Sequence, residues 1–270
     1  MRDLRKIIYR LEEQDNAIGN ALYQTAIFCY RCYDSLILKR SSRPDYGSEK
    51  LLLRDRRILY VGVPKVATRS MLTALQSAAT ETPQSSVILE VDIRTLLKDF
   101  PEVIDYFKFT YVRNPYSRAA SCYREKIKHA HPRKQARHLH NRRNLEAGMS
   151  FTTFAEWLNS PEGSDSVADR HWMSQYRILA LDEAGVIEYD FIGRFERLAQ
   201  DYDRLINLSG LELPPLSHRL KTQAPDEYRN LYDDYSRELI ARRYARDIEL
   251  FGYEFDADSA TEQGVIDDND

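Results

Sequence analysis

Between Ile58 and Met71 the sequence changes character within a single turn. The run Ile58-Leu59-Tyr60-Val61-Gly62-Val63 is apolar and rich in β-formers, and it stops at Pro64-Lys65. Apolar Met71, Leu72 and Leu75 then follow in a helix-compatible segment. This pattern reads as a buried strand, a tight turn and a helix start. Such a junction aims several backbone N–H groups and the positive end of a helix dipole at one point, which suits phosphate or sulfate. Lys65 adds a full charge there, and Thr68, Arg69 and Ser70 add side-chain donors. The helix is expected over residues 68–79.

The same pattern recurs downstream. Tyr106-Phe107-Lys108-Phe109-Thr110-Tyr111-Val112 is an aromatic and β-branched run that ends at Arg113-Asn114-Pro115. Pro115 is a favoured first helical residue and Asn114 a cap, which predicts a helix running to about residue 128. Residues 85–91 read as another strand, with Asp92 capping a short helix through Leu97. Residues 151–158 read as a helix capped by Ser150, 186–195 as a strand leaving the core at Gly193-Arg194, and 196–209 as a helix. Two more helical pieces are predicted near 225–234 and 236–251. Strands alternating with helices predict a three-layer α/β fold, with a mostly parallel central sheet flanked by helices.

The flanks differ from this middle. Residues 3–39 carry apolar positions at helical spacing and predict one or two amphipathic helices, followed by a linker at 40–48. The division is a helical extension and linker over 1–50, the α/β domain over 51–254, and an acidic tail over 255–270 that reads as disordered. Cys29 and Cys32 lie at Cys-x-x-Cys spacing without further cysteines or histidines nearby, and read as helix cysteines rather than a metal or redox pair. Residues 124–143 form a basic block holding His129, His131, His138 and His140. Without supporting cysteines or carboxylates they read as a solvated loop that attracts an anionic substrate, not as a metal site.

The net charge of −3 argues against a general nucleic-acid binder. No stretch approaches the roughly 20 apolar residues of a membrane span. Three cysteines in 270 residues and an opening without a signal-peptide pattern place the expectation in the cytoplasm, free or peripheral to a membrane. Nothing in the sequence fixes an oligomeric state.

The Lys65 loop is not a Walker A loop. That motif ends in Lys-Ser/Thr, so that the lysine reaches the terminal phosphates and the hydroxyl holds magnesium. Here the lysine stands at the start of the turn and Gly62 is the one glycine before it. A Gly-x-Gly-x-x-Gly pattern for a dinucleotide is also missing. The cradle is P-loop-like in geometry with different chemistry.

Pro64-Lys65-Val66-Ala67-Thr68-Arg69-Ser70 resembles the 5′-phosphosulfate loop of the PAPS-dependent sulfotransferases, in their carbohydrate branch. Val112-Arg113-Asn114-Pro115-Tyr116-Ser117-Arg118 with Ser121-Cys122-Tyr123-Arg124 resembles that branch's 3′-phosphate element. Later pieces agree in order: His171-Trp172 with Gln175, Asp190 to Glu196, and Tyr244-Ala245-Arg246-Asp247 through Tyr253. The resemblance implies an enzyme that moves the sulfuryl group of PAPS (3′-phosphoadenosine 5′-phosphosulfate) to a carbohydrate or glycolipid hydroxyl without a metal. It implies that Lys65 and the amides of Val66, Ala67, Thr68, Arg69 and Ser70 stabilise the leaving 5′-phosphate. It places Arg113 and Ser121 on the 3′-phosphate, and Arg194 and Lys221 on nucleotide or substrate, with a poor match at Lys221. Taken alone, Arg113 reads as a strand-end salt bridge. Ser121, about two helical turns on, shares its site only if Arg113 reaches back.

A base must take the acceptor's proton. His171 is the candidate because histidine carries protons near neutral pH, with Glu196 or Asp169 as substitutes. Two rivals stand beside the sulfotransferase: a magnesium-dependent nucleotide kinase of P-loop type, and a non-catalytic module that captures acidic polysaccharide.

Overall fold

A computed structural model of the protein describes residues 47–78, 86–128, 144–182, 185–216 and 227–256. The predicted N-terminal helices, Cys29, Cys32, the four histidines of the basic block, Lys221 and the tail from residue 257 lie outside the described residues. Five strands form one sheet: β1 (Glu49–Leu53), β2 (Ile58–Val61), β3 (Ser86–Glu90), β4 (Phe107–Val112) and β5 (Phe191–Arg194). Their order is β3-β1-β2-β4-β5. β2 pairs in parallel with β4, and β4 with β5, while β1 is antiparallel to both β2 and β3. Only β1 therefore opposes the common direction, and the sheet is mostly parallel as expected. Consecutive residues are buried along β1, β2 and β4, which means that both faces are covered.

The helices are α1 (Thr68–Ser77), α2 (Ile93–Asp99), α3 (Pro115–Tyr123), α4 (Phe151–Leu158), α5 (Gln175–Ile178), α6 (Leu198–Ser209), α7 (Asp234–Arg243) and α8 (Ala245–Phe251). The expected caps form. Asp92 accepts from the Thr95 amide, Asn114 from Tyr116 and Ser150 from Thr153. α3 does not continue as one α-helix to residue 128. It gives way at Arg124–Lys128 to a π-helical turn, a widening common beside functional sites.

Two strands depart from expectation. β1 falls partly in what read as linker, and it forms a hairpin with β2. β5 is shorter than the predicted 186–195. Phe191 stands opposite Phe109, so residues before 189 would have to pair beyond the start of β4, toward the 3-10 turn Pro101–Asp105. An aromatic ladder crosses the strands that carry the site: Tyr60, Phe109, Tyr111 and Phe191, with successive ring centroids 5.1, 6.4 and 5.9 Å apart. Each such pair adds about 0.5–1.5 kcal/mol beyond its buried area. Gly193 is required here, since a Cβ would lie 2.3 Å from the Tyr111 ring.

Candidate active site

The loop between β2 and α1 is built for close backbone approach. The Gly62 amide donates to the Glu49 carbonyl at 2.8 Å, and a Cβ at Gly62 would come within 2.9 Å of that oxygen and 2.6 Å of Thr68 Cγ2. Lys65 and Ala67 then adopt left-handed conformations, φ 73° and 51°. Such conformations cost a non-glycine residue ~1–3 kcal/mol and cluster at ligand-gripping loops. Ala67 stands at the cap position of α1 and no side chain caps the helix. The amides of residues 67–70 thus face the mouth without an intrahelical acceptor.

Two expected donors are used elsewhere. The Thr68 hydroxyl donates to the Val63 carbonyl at 2.7 Å, so this residue offers its amide and not its side-chain proton. The Val66 amide closes the turn onto Val63 at 3.3 Å, and the Val66 side chain is buried. Arg69 is exposed and Ser70 half-buried.

Lys65 Nζ is ion-paired with Glu125, which the π-helical turn after α3 delivers. The lysine side chain is 13% exposed and the carboxylate 49%. Lys126 holds the other carboxylate oxygen at 3.1 Å. Desolvation pushes the Glu125 carboxyl up, but the hydrogen bond from Lys65 and the charges of Lys65 and Lys126 outweigh it and bring the group down to about 2. Sequence reading missed Glu125, because a lone acid in a basic block carries no local signal.

At the second junction Arg113 does reach back along α3. Its Nε and Nη2 donate to Ser117 Oγ at 2.9 and 2.7 Å, and Nη1 donates to the Lys65 carbonyl at 3.0 Å. Ser117 lies one turn short of Ser121 on the same helix face, and Ser121 is half-buried. The guanidinium packs 4.3 Å from the centroid of Phe195. Burial lowers Arg113 to about 10, against the opposing charge of Glu196, so it stays cationic at neutral pH.

The later motif pieces brace this arginine. Buried Gln175 accepts from the Arg113 amide at 2.9 Å and donates to its carbonyl at 2.8 Å. Asp247 in turn accepts from the amides of Gln175 and Tyr176 at 2.8 and 2.9 Å. Glu196 accepts from the Asn114 amide at 2.8 Å and the Tyr253 hydroxyl at 3.0 Å. Both Glu196 oxygens thus brace neighbouring groups, one the backbone at Asn114 and the other the Tyr253 hydroxyl. Arg194 donates to the Phe251 carbonyl at 2.6 Å and packs over Tyr253.

His171 and Asp169 form a dyad. His171 Nδ1 lies 2.5 Å from Asp169 Oδ1, and the same oxygen accepts from the His171 amide at 2.9 Å. A carboxylate only accepts, so Nδ1 carries the proton and Nε2 is the basic nitrogen.

Residues 50–254 match the model of the sulfotransferase family. Carbohydrate sulfotransferase 14 of Danio rerio is 28% identical over 236 residues, covering 76% of this chain and 62% of that protein. Its Mus musculus counterpart is 31% identical over 182 residues, covering 61% and 47%. Carbohydrate sulfotransferase 10 of Gallus gallus is 28% identical over 283 residues, covering 87% and 77%. The chain spans about half the length of the mouse protein. No solved structure gives a significant match.

Proposed function

The chain belongs to the sulfotransferase family, and we propose that it moves the sulfuryl group of PAPS to a hydroxyl of a carbohydrate or glycolipid acceptor, anionic acceptors included. One observation carries the reading: two anion cradles stand at the ends of adjacent parallel strands, joined where Arg113 Nη1 meets the Lys65 carbonyl at 3.0 Å. A ligand with two separated anionic groups fits this pair better than a single phosphate does. The names of the relatives supply the carbohydrate and favour neither the kinase nor the passive binding module.

When bound, PAPS supplies an activated sulfuryl group and a 5′-phosphate as its leaving group. The amides of residues 67–70 hold anionic oxygens at the 5′ end. Lys65 Nζ leaves Glu125 and donates to the oxygen on which negative charge develops. Arg113, with Ser117 and Ser121 along one face of α3, holds the 3′-phosphate by charge-assisted hydrogen bonds. His171 Nε2 accepts the acceptor's proton, and Asp169 stabilises the imidazolium that forms. Arg194 and Lys221 are proposed on nucleotide or substrate, Arg194 through the guanidinium donors that its Nη2 bond to the Phe251 carbonyl leaves available.

Among the described residues no helix is long and apolar enough to cross a membrane. The cytoplasm as compartment rests on the sparse cysteines, and cell fractionation tests it.

The decisive experiment titrates 3′-phosphoadenosine 5′-phosphate and adenosine monophosphate against the protein by calorimetry. The first should bind much more tightly, and Arg113→Ala should abolish the difference. Equal affinity for the two nucleotides in the wild type would sink the reading.

A further inference from the structure

Arg118 is 2% exposed, among the largest fully buried side chains of the protein. It projects from α3, the helix that carries Ser117 and Ser121. Its guanidinium donates to three backbone carbonyls: Nε to Pro64 at 3.1 Å, Nη1 to Met173 at 2.8 Å and Nη2 to Arg170 at 3.2 Å. Among the described residues no carboxylate lies within ion-pair distance of it. Burying a charge against neutral carbonyls is unfavourable compared with an apolar side chain of similar volume. Packing alone does not call for an arginine here.

The three carbonyls belong to two loops. Pro64 immediately precedes Lys65, whereas Arg170 and Met173 flank His171-Trp172. One planar fork, with its donors in fixed directions, fastens the Lys65 loop to the turn that holds the His171–Asp169 dyad. The neighbouring Cys122 thiol reports the same convergence. Burial pushes it up to about 11, and the charges of Lys65, Arg118 and Lys126 oppose that rise while Asp169 adds to it.

We propose that Arg118 is a positioning residue for sulfuryl transfer, setting the spacing between Lys65 and His171 so that the leaving oxygen and the acceptor proton are met in one geometry. The inference rests on the sulfotransferase reading. It also predicts that occupancy of the nucleotide cradle is felt at His171, because the two loops share one guanidinium.

The test uses the full chain. Arg118→Lys keeps the charge but loses the three-point fork. It should bind 3′-phosphoadenosine 5′-phosphate within about threefold of wild type while kcat falls about 100-fold, the scale of an ångström-size misplacement. Donor KM should change little. Independently, nuclear magnetic resonance of the wild-type histidines should show the His171 imidazole shifting when that nucleotide binds. A kcat for the lysine variant within a few-fold of wild type overturns the inference. If the variant does not fold, a wild-type His171 resonance indifferent to saturating nucleotide overturns it. A wild type that binds no nucleotide and transfers no sulfate sinks the sulfotransferase reading and this inference together. Normal wild-type transfer with an unaffected variant sinks the inference alone.

Discussion

The β2–α1 and β4–α3 junctions read alike in sequence, yet they hold their cations differently. Lys65 is a point charge on a flexible stem, and its nitrogen is already taken by Glu125. Arg113 is a planar fork set by neutral groups: the Ser117 hydroxyl, the Lys65 carbonyl and the Phe195 ring, with Gln175 clamping its backbone. Among the described residues no carboxylate bonds the guanidinium, so Arg113 is fixed in direction and meets the opposing charge of Glu196 only at longer range, which suits the binding of a phosphate that does not react. The counter-ion on Lys65 must be displaced before that lysine can meet an anion. That suits a group acting only while charge develops, since interactions stronger in the transition state than in the ground state raise kcat.

The largest expected break of this contrast is Lys65→Ala. It should cut kcat roughly 10²–10³-fold with only a small change in nucleotide affinity. Steady-state kinetics beside calorimetry check this, and the reverse pattern would make Lys65 a binding residue like Arg113. Next in size, Arg113→Ala should weaken binding of 3′-phosphoadenosine 5′-phosphate by about 100-fold, the scale of losing hydrogen bonds between charged groups. Arg113→Lys should recover only part of this, because the ammonium cannot reproduce the fork.

Glu125→Gln sharpens the comparison by removing the counter-ion. Donor affinity should rise by up to roughly fivefold, matching the ~1 kcal/mol ceiling of an exposed ion pair, with kcat nearly unchanged. A collapse of kcat would instead mark Glu125 as the proton acceptor in place of His171. The pH dependence has a definite sign. The Glu125 carboxyl is lowered from 4.5 to about 2 in the fold, so its stabilising contribution is complete above 4.5 and is lost as pH falls toward 2. Acid melting curves of the glutamine variant should be flatter across that window.

The smallest effect concerns the brace behind Arg113. Burial raises the Asp247 carboxyl from 3.8 to about 6 despite the two amides it accepts. A raised acid contributes its full stability below 3.8 and loses it as pH climbs through 6. Asp247→Asn should therefore remove part of the stability decline between those values, at a cost of about 1 kcal/mol for the one hydrogen bond it cannot make. Melting temperatures from pH 4 to 7 read this directly.

Strand–helix junctions were legible because their signals are local. Pro115, Asn114 and Asp92 announce helix starts through their own backbone chemistry, and the structure uses each as expected. The β1–β2 hairpin was not legible. Its turn is Arg54-Asp55-Arg56-Arg57, and Arg57 takes the left-handed place (φ 51°) that a glycine normally signals. Leu51-Leu52-Leu53 is also too short and uniform to show a period of two. The site divides in the same way. Lys65 and Arg113 stand at strand ends and could be picked out one by one. Ser117 and Arg118 lie inside a motif that assigns neither of them a role, and Glu125 lies just past its end.

By itself the sequence determined which residues sit at the mouths of the two parallel strands, since strand, turn and helix start are written within a few residues of each other. Tertiary structure alone decided what those residues touch. Glu125 lies 60 positions from Lys65, Gln175 lies 62 from Arg113, and the Arg118 carbonyls at Pro64 and Met173 lie 54 and 55 away. Contacts at that separation leave no periodicity or spacing to read. They exist only once the sheet has aligned β2 beside β4 and brought the 170–175 turn across both strand ends.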